Sequence, residues 1–311
     1  MRTRVILLIL TTIVFAVVFS HTGHSQSAAA LAGRITSAEE GPMEGVLVSA
    51  KKAGSTVTIT VVSDEQGRYR FPSTKLQPGQ YALRIRAVGY DLEGPRDVEM
   101  KRGQTATTDL KLVKARELAS QLSNSEWLAS FPGAEQQKSS IRACTHCHTL
   151  ERVARSRYDA GKLTTVIERM STYPQLSFPL MIQKLVAPRI GGGEDPLEQR
   201  QAGWRRQAEY LSTVNLSAES QWGYSFKTHP RPKGRATEVV YTEYDLPQRT
   251  RQPHDVIVDS QGMAWFASFG EQILGRLDPK TGKITEYEVP LLKPKMPTGS
   301  LAVRFDEDEN I

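Results

Sequence analysis

The chain of 311 residues carries 40 Lys and Arg against 34 Asp and Glu, a formal charge of +6, and two cysteines. The charge is mild and dispersed, with no long Lys/Arg block and no aromatic-basic platform, so nucleic acid is not expected as a partner. Two cysteines cannot staple a polypeptide of this size, and their work must be local.

Arg2 and Arg4 precede an uncharged apolar run from Val5 to Phe19, after which the chain reads SHTGHSQSAAALAG. A basic start, an apolar core and small residues at a plausible cleavage point predict a signal peptide over 1–30, cut near Ser27 or Ala30. The run is shorter than the about 20 residues of a membrane span. The expected location is therefore periplasmic or secreted, with an N-terminal membrane anchor if the leader stays uncleaved. Without Arg2 and Arg4 the formal charge falls to about +4. No later segment is apolar enough for a stable membrane span.

From 31 to 113 short runs such as GVLVSAKKAG, STVTITVVS, RYRFP and QYALRIRAVG alternate with DEQG, QPGQ and KRGQ. Alternating Val, Thr, Tyr and Phe broken by Gly and Pro predicts antiparallel strands in an all-β sandwich. Tyr69, Phe71, Tyr81, Leu83 and Ile85 supply much of its inward face by period two. Gly67 and Gly79 fall at turns. The order AGRITSAEEGPMEGVLVSA, then SDEQGRYRFPSTKLQPGQYALRIRAVGY, resembles the carboxypeptidase regulatory-like domain. That resemblance implies a transthyretin-like, noncatalytic module with a structural or interaction role, sometimes grouped with carbohydrate-binding-like folds.

From 114 to 217 the period changes to about 3.6. RELASQLSNSEWLASF, KLTTVIERMSTY, FPLMIQKLVA and DPLEQRQAGWRRQAEYLSTV predict four helices beyond a short one at 144–151. Within this all-α region lies ACTHCHTL, which holds both cysteines. A redox dithiol wants C-x-x-C at the start of a helix that follows a strand, and EQQKSSIR is not such a strand. Zinc needs two more ligands, and His148 is poorly placed beside Cys147 to share one tetrahedral centre. A disulfide leaves His148 unexplained. Covalent haem accounts for all three residues: Cys144 and Cys147 stand one helical turn apart for two thioethers, and His148 supplies the proximal imidazole. One covalent haem c is the expected cofactor.

The segments IRACTHCHTL, TTVIERM and AEYLSTVNL resemble a class I cytochrome c domain. The resemblance implies thioethers at Cys144 and Cys147, a proximal ligand at His148, and packing roles for Tyr210 and Leu211 on the last helix. Leu163, Val166, Ile167 and Met170 share one helical stripe. Met170 is the first choice for the distal iron ligand and Met181 the alternative; another residue, water or an open position completes the choices. Leu150, Val153, Leu163, Ile167 and Tyr173 are candidates for the haem wall. Trp127, Trp204 and Trp222 are expected to pack. Residues 218–236, with His229, are expected to form a linker.

From 237 to 311, TEYDLP at 242–247 returns as TEYEVP at 285–290, a spacing of 43 residues. HDVIVDSQG, MAWFASFG, ILGRLDPKTG and KITEYEV predict the four strands of one propeller blade, and PTGSLAVRFD echoes PHDVIVD. These motifs resemble the streptogramin-lyase-like, or virginiamycin B lyase-like, group. The resemblance implies the first one or two blades of an incomplete β-propeller in a fragment of a longer chain. Gly262, Gly282, Asp259, Trp265 and Asp278 serve the blade, and His254 has no assigned catalytic role.

The expectation is a multidomain exported monohaem module for electron transfer between redox donor and acceptor proteins of unknown identity, coupled to the propeller or a partner enzyme. No residue is expected to be catalytic. The alternatives are a metal-dependent C–O lyase with an accessory haem domain, and a secreted scaffold or carbohydrate-binding protein with a small-molecule or glycan ligand.

Overall fold

The computed structural model describes residues 29–173, 179–180, 182, 196–290 and 299–311. The expected leader lies outside the described residues, apart from Ala29 and Ala30. These two begin strand β1 (Ala29–Ser37).

Nine further strands follow: β2 (Gly41–Pro42), β3 (Leu47–Lys52), β4 (Val57–Val62), β5 (Arg68–Pro72), β6 (Gly79–Arg86), β7 (Tyr90–Glu93), β8 (Asp97–Met100), β9 (Ala106–Thr107) and β10 (Leu110–Lys114). One sheet runs β2–β1–β10–β7, with β5 and β9 also paired to β1, and the other contains β4–β3–β6–β8. Alternation sets the faces. In β5, Tyr69 and Phe71 are buried while Arg68 and Arg70 are exposed. Leu31, Ile35, Leu110 and Leu112 from the first sheet meet Val48, Ala50, Val61 and Leu83 from the second in one core. Gly67 closes the turn before β5 at φ 73°, where a Cβ would lie 2.5 Å from the Ile35 carbonyl oxygen.

The helical unit contains α1 (Asn124–Ser130), α2 (Glu135–Ser140), α3 (Leu150–Ala154), α4 (Ala160–Met170) and α5 (Leu197–Val214). Two 3-10 turns, Leu118–Gln121 and Arg142–His146, accompany them. The single helix expected over 116–131 is split because Ser123 caps α1: its hydroxyl accepts from Glu126 N–H while the Glu126 carboxylate accepts from Ser123 N–H. Helix α2 lacks an apolar stripe; the Gln137 side chain caps it by accepting from Ala134 N–H at 2.8 Å. The stripe on α4 is present, with Leu163 and Ile167 buried. The helix expected at FPLMIQKLVA lies outside the described residues except for 179, 180 and 182.

Beyond the helices come β11 (Val240–Tyr244), β12 (Pro253–Val258), β13 (Ala264–Ser268), β14 (Ile273–Leu277) and β15 (Ile284–Glu288). Strands β12 to β15 form one antiparallel sheet in sequence order. The expectation of a propeller is corrected here: among the described residues no sheet closes, and 237–311 contributes one open four-stranded sheet. The two copies of the TEY repeat also part company. The second lies in β15, whereas the first, β11, pairs antiparallel with β4 from Val240–Val61 to Tyr244–Val57. An open edge strand presents unpaired N–H and C=O groups, and β11 covers those of β4. The PTGSLAVRFD echo forms no strand in its described part; Val303 is buried and its N–H donates to Asp255 Oδ2 at 3.0 Å.

Candidate functional site

The C-x-x-C-H segment begins inside the Arg142–His146 turn and ends at His148, just before Thr149, the N-cap of α3. Cys147 N–H and His148 N–H both reach the Cys144 carbonyl, at 3.4 and 3.3 Å, so the backbone winds one turn between the sulfurs. Both thiols are free. Cys144 packs against the helical core, and burial pushes its thiol up to about 11, assisted by the neighbouring Cys147. A raised thiol is the opposite of what an activated redox cysteine needs. His148 Nδ1 lies 3.0 Å from the Thr149 carbonyl oxygen. A carbonyl only accepts, so this bond places the proton on Nδ1 and leaves the Nε2 lone pair for a ligand bond.

Around this segment Leu150 and Ala154 are fully buried, Leu163 and Ile167 nearly so, and Val153 and Met170 are half-buried against the same cluster. Met170 ends α4 in the packing position its stripe requires. Met181 lies outside the described residues. Tyr173 is half-buried, and Tyr210 and Leu211 are buried on α5. Among the described residues no three His, Cys, Asp or Glu side chains converge as a metal site. His254 has its Nδ1 2.9 Å from the Leu301 carbonyl oxygen and its ring stacked on Phe269.

The stretch expected as a linker is a fastened strap. Trp222 and Phe226 pack edge-on against fully buried Trp127, with ring centroids at 5.6 and 5.2 Å. Trp222 Nε1 donates to the Ala154 carbonyl at 3.0 Å, and Tyr224 donates to that of Val214 at 2.7 Å. Lys227 N–H donates to Ser130 Oγ at 2.8 Å, and His229 N–H to Glu126 Oε1 at 2.9 Å. Burial would raise the Glu126 carboxyl, but backbone N–H groups of Ser123 and His229 and the Ser123 hydroxyl hold it below its ordinary value.

At its far end the strap grips the sandwich. Arg231 Nε donates to the Glu44 carbonyl at 2.8 Å, its guanidinium pairs with Glu40, and Gly234 N–H donates to Glu44 Oε1 at 2.7 Å. Gly45 permits the approach: at φ 77°, a Cβ there would lie 2.2 Å from the Pro232 carbonyl oxygen. Gln121 adds a second tie, accepting from Gly89 N–H at 2.8 Å and donating to Asp91 Oδ1 at 2.8 Å.

Residues 30–113 match the family described as the carboxypeptidase regulatory-like domain. The N-terminal sandwich is such a domain. The match ends where the helical unit begins, and no curated protein matches the chain. Among solved structures the chain is similar to "The Bacillus anthracis TIE protein", at 20% identity over 29% of this chain and 17% of that one, with a TM-score of 0.24. Beyond the regulatory-like domain, what stands is a helical unit and a partial β-sheet. The names cytochrome and propeller are withdrawn as descriptions of these two parts, because the family match stops at 113 and no described sheet closes. Among the described residues no helix is long and apolar enough to cross a membrane.

Proposed function

We propose that the chain is an exported scaffold in which the regulatory-like domain holds the helical unit and the open sheet in set positions. The observation that carries this proposal is the strap, bonded to Glu126 and Ser130 at one end and to Glu40 and Glu44 at the other. Strand β11 serves the same end by binding the last unit to the edge of β4. Limited trypsin digestion tests it. The bonds after Lys227 and Lys233 resist cleavage in the native protein and become sensitive together when the strap detaches. Rapid native cleavage at these bonds, releasing an intact sandwich, contradicts the scaffold.

A second function is favoured by one observation, the Nδ1 bond of His148 to the Thr149 carbonyl. It orients the imidazole as a metal-ligating histidine is oriented, with the other nitrogen held by a carbonyl. Together with two free thiols one turn apart, this suits a covalent haem. Cys144 and Cys147 would hold it by thioethers and His148 would ligate it, with Met170 on the adjoining helix as the distal candidate. The group supplies one-electron exchange when bound. This chain's contribution is to orient His148 and to line the site with Leu150, Leu163 and Ile167, excluding water. Protein matured with haem-attachment machinery gains the mass of one haem and a pyridine haemochrome spectrum, and His148→Ala alters the axial signature. A mass equal to the bare polypeptide refutes it.

A further inference from the structure

A cleft of about 430 Å³ separates the end of the sandwich from the Pro279–Thr281 turn between β14 and β15. A larger groove of about 900 Å³ lies along β3, β4 and β6, but there Arg84, Arg86 and Arg96 are matched by Asp91, Asp97 and Glu243. The smaller cleft has no such balance. Lys52 and Lys75 reach it from the sandwich and Lys280 from the open sheet, while no aspartate or glutamate lines it.

None of the three ammonium groups has an ion-pair partner among the described residues, whereas Lys51 next door pairs with Asp245. Asp278 lies beside Lys280 but does not line the cleft; the Thr281 hydroxyl at 2.8 Å and Lys280 N–H at 2.9 Å hold its carboxyl below its ordinary value, and the Lys280 charge adds a smaller share. Lys52 is half-buried and its stem runs over Gly79, where a Cβ would lie 2.6 Å from Lys52 Cε. Neutral donors share the walls. Tyr81 accepts from Gln77 N–H at 3.0 Å, which leaves its phenolic proton to donate, and Thr242 adds a hydroxyl. Three lysines and two hydroxyl-bearing side chains thus line one cleft whose walls carry no carboxylate, a composition that suits an oxyanion.

We propose that this cleft binds a small oxyanion ligand, a phosphate- or sulfate-bearing molecule, bridging the sandwich and the open sheet. It rests on the docking of β11 and the open sheet against the sandwich. Titration calorimetry on the full chain uses two probes, inorganic pyrophosphate and a sulfated disaccharide, and the stronger binder identifies the source of the oxyanion. One saturable site is expected. Lys52→Gln and Lys280→Gln each weaken it about tenfold, as for loss of one charge-assisted hydrogen bond. Lys138→Gln, on α2, leaves it unchanged. Failure of both probes to saturate, or equal weakening by Lys138→Gln, overturns the site. Sensitivity to Lys52→Gln but not to Lys280→Gln overturns the bridge. Amide exchange of β4 in the same samples reads the docking separately: protected β4 without binding rejects the ligand and leaves the scaffold standing.

Discussion

Replacing Glu126 by Gln isolates the fastening between the helical unit and its strap. Glu126 is 2% exposed, and its carboxylate accepts from Ser123 N–H and Ser123 Oγ at 2.8 Å and from His229 N–H at 2.9 Å. The amide keeps one acceptor oxygen and turns an NH₂ group toward a donor, so one side of the fastening is lost. A hydrogen bond to a charged group is worth about 2 kcal/mol, which is roughly a 30-fold change in local opening. Hydrogen exchange followed by mass spectrometry of 124–130 and 222–229 reads this directly. Both segments exchange faster together, while the exposed control Glu135→Gln changes neither. Burial raises the Glu126 carboxyl, but its hydrogen bonds lower it overall from its ordinary value of 4.5. It therefore binds protons less readily folded than unfolded, so its contribution is present above the unfolded pKa and is lost as pH falls through the lower folded one. The acid-dependent loosening of 222–229 accordingly shrinks in Glu126→Gln. Unchanged exchange in both segments at neutral pH refutes the fastening.

Trp222→Ala removes the contact with Trp127 and the bond to the Ala154 carbonyl, and costs the helical unit about 3–4 kcal/mol; urea unfolding followed by exchange of the α1 peptide measures it. Arg251 sits 9% exposed between Glu271 and Glu286, so Arg251→Ala strands two carboxylates and destabilises the open sheet by about 3 kcal/mol, seen as a lower midpoint of its own thermal transition. The same substitution raises the Glu286 pKa, which the guanidinium now lowers, and carboxylate NMR titration detects it. Gly45→Ala places a methyl against the Pro232 carbonyl at an unfavourable φ; it exposes the bond after Lys233 to trypsin while leaving the sandwich core protected.

The sandwich was legible because its information is local. Alternation at Tyr69 and Phe71 and the turn at Gly67 each specify a face or a bend without reference to distant residues. The C-x-x-C-H segment is local as a motif, but the short helix expected at 144–151 is replaced by the Arg142–His146 turn and a helix that starts at Leu150; the capping box from Ser123 to Glu126 explains the break before α1. The strap is legible only at Trp222, expected to pack, although Tyr224 and Phe226 follow it at alternate positions; polar composition around them resembles a connection, and only the buried Trp127 explains the aromatic spacing. The placement of β11 was beyond local pattern. Its TEY sequence matches that of β15, yet which edge a strand joins depends on which edge the rest of the fold leaves open. The repeat therefore signalled a strand correctly and its sheet incorrectly.

The pairing of β11 with β4 bears most directly on whether these units form one scaffold. Residue-resolved amide exchange across Val57–Val62 in the full chain, compared with the Tyr241→Pro/Thr242→Pro variant, tests that pairing. In the unsubstituted protein the β4 amides facing β11 are protected, and the prolines expose them while those bonded to β3 stay slow. Free-peptide exchange at the outward β4 amides before any substitution contradicts the pairing and with it the scaffold.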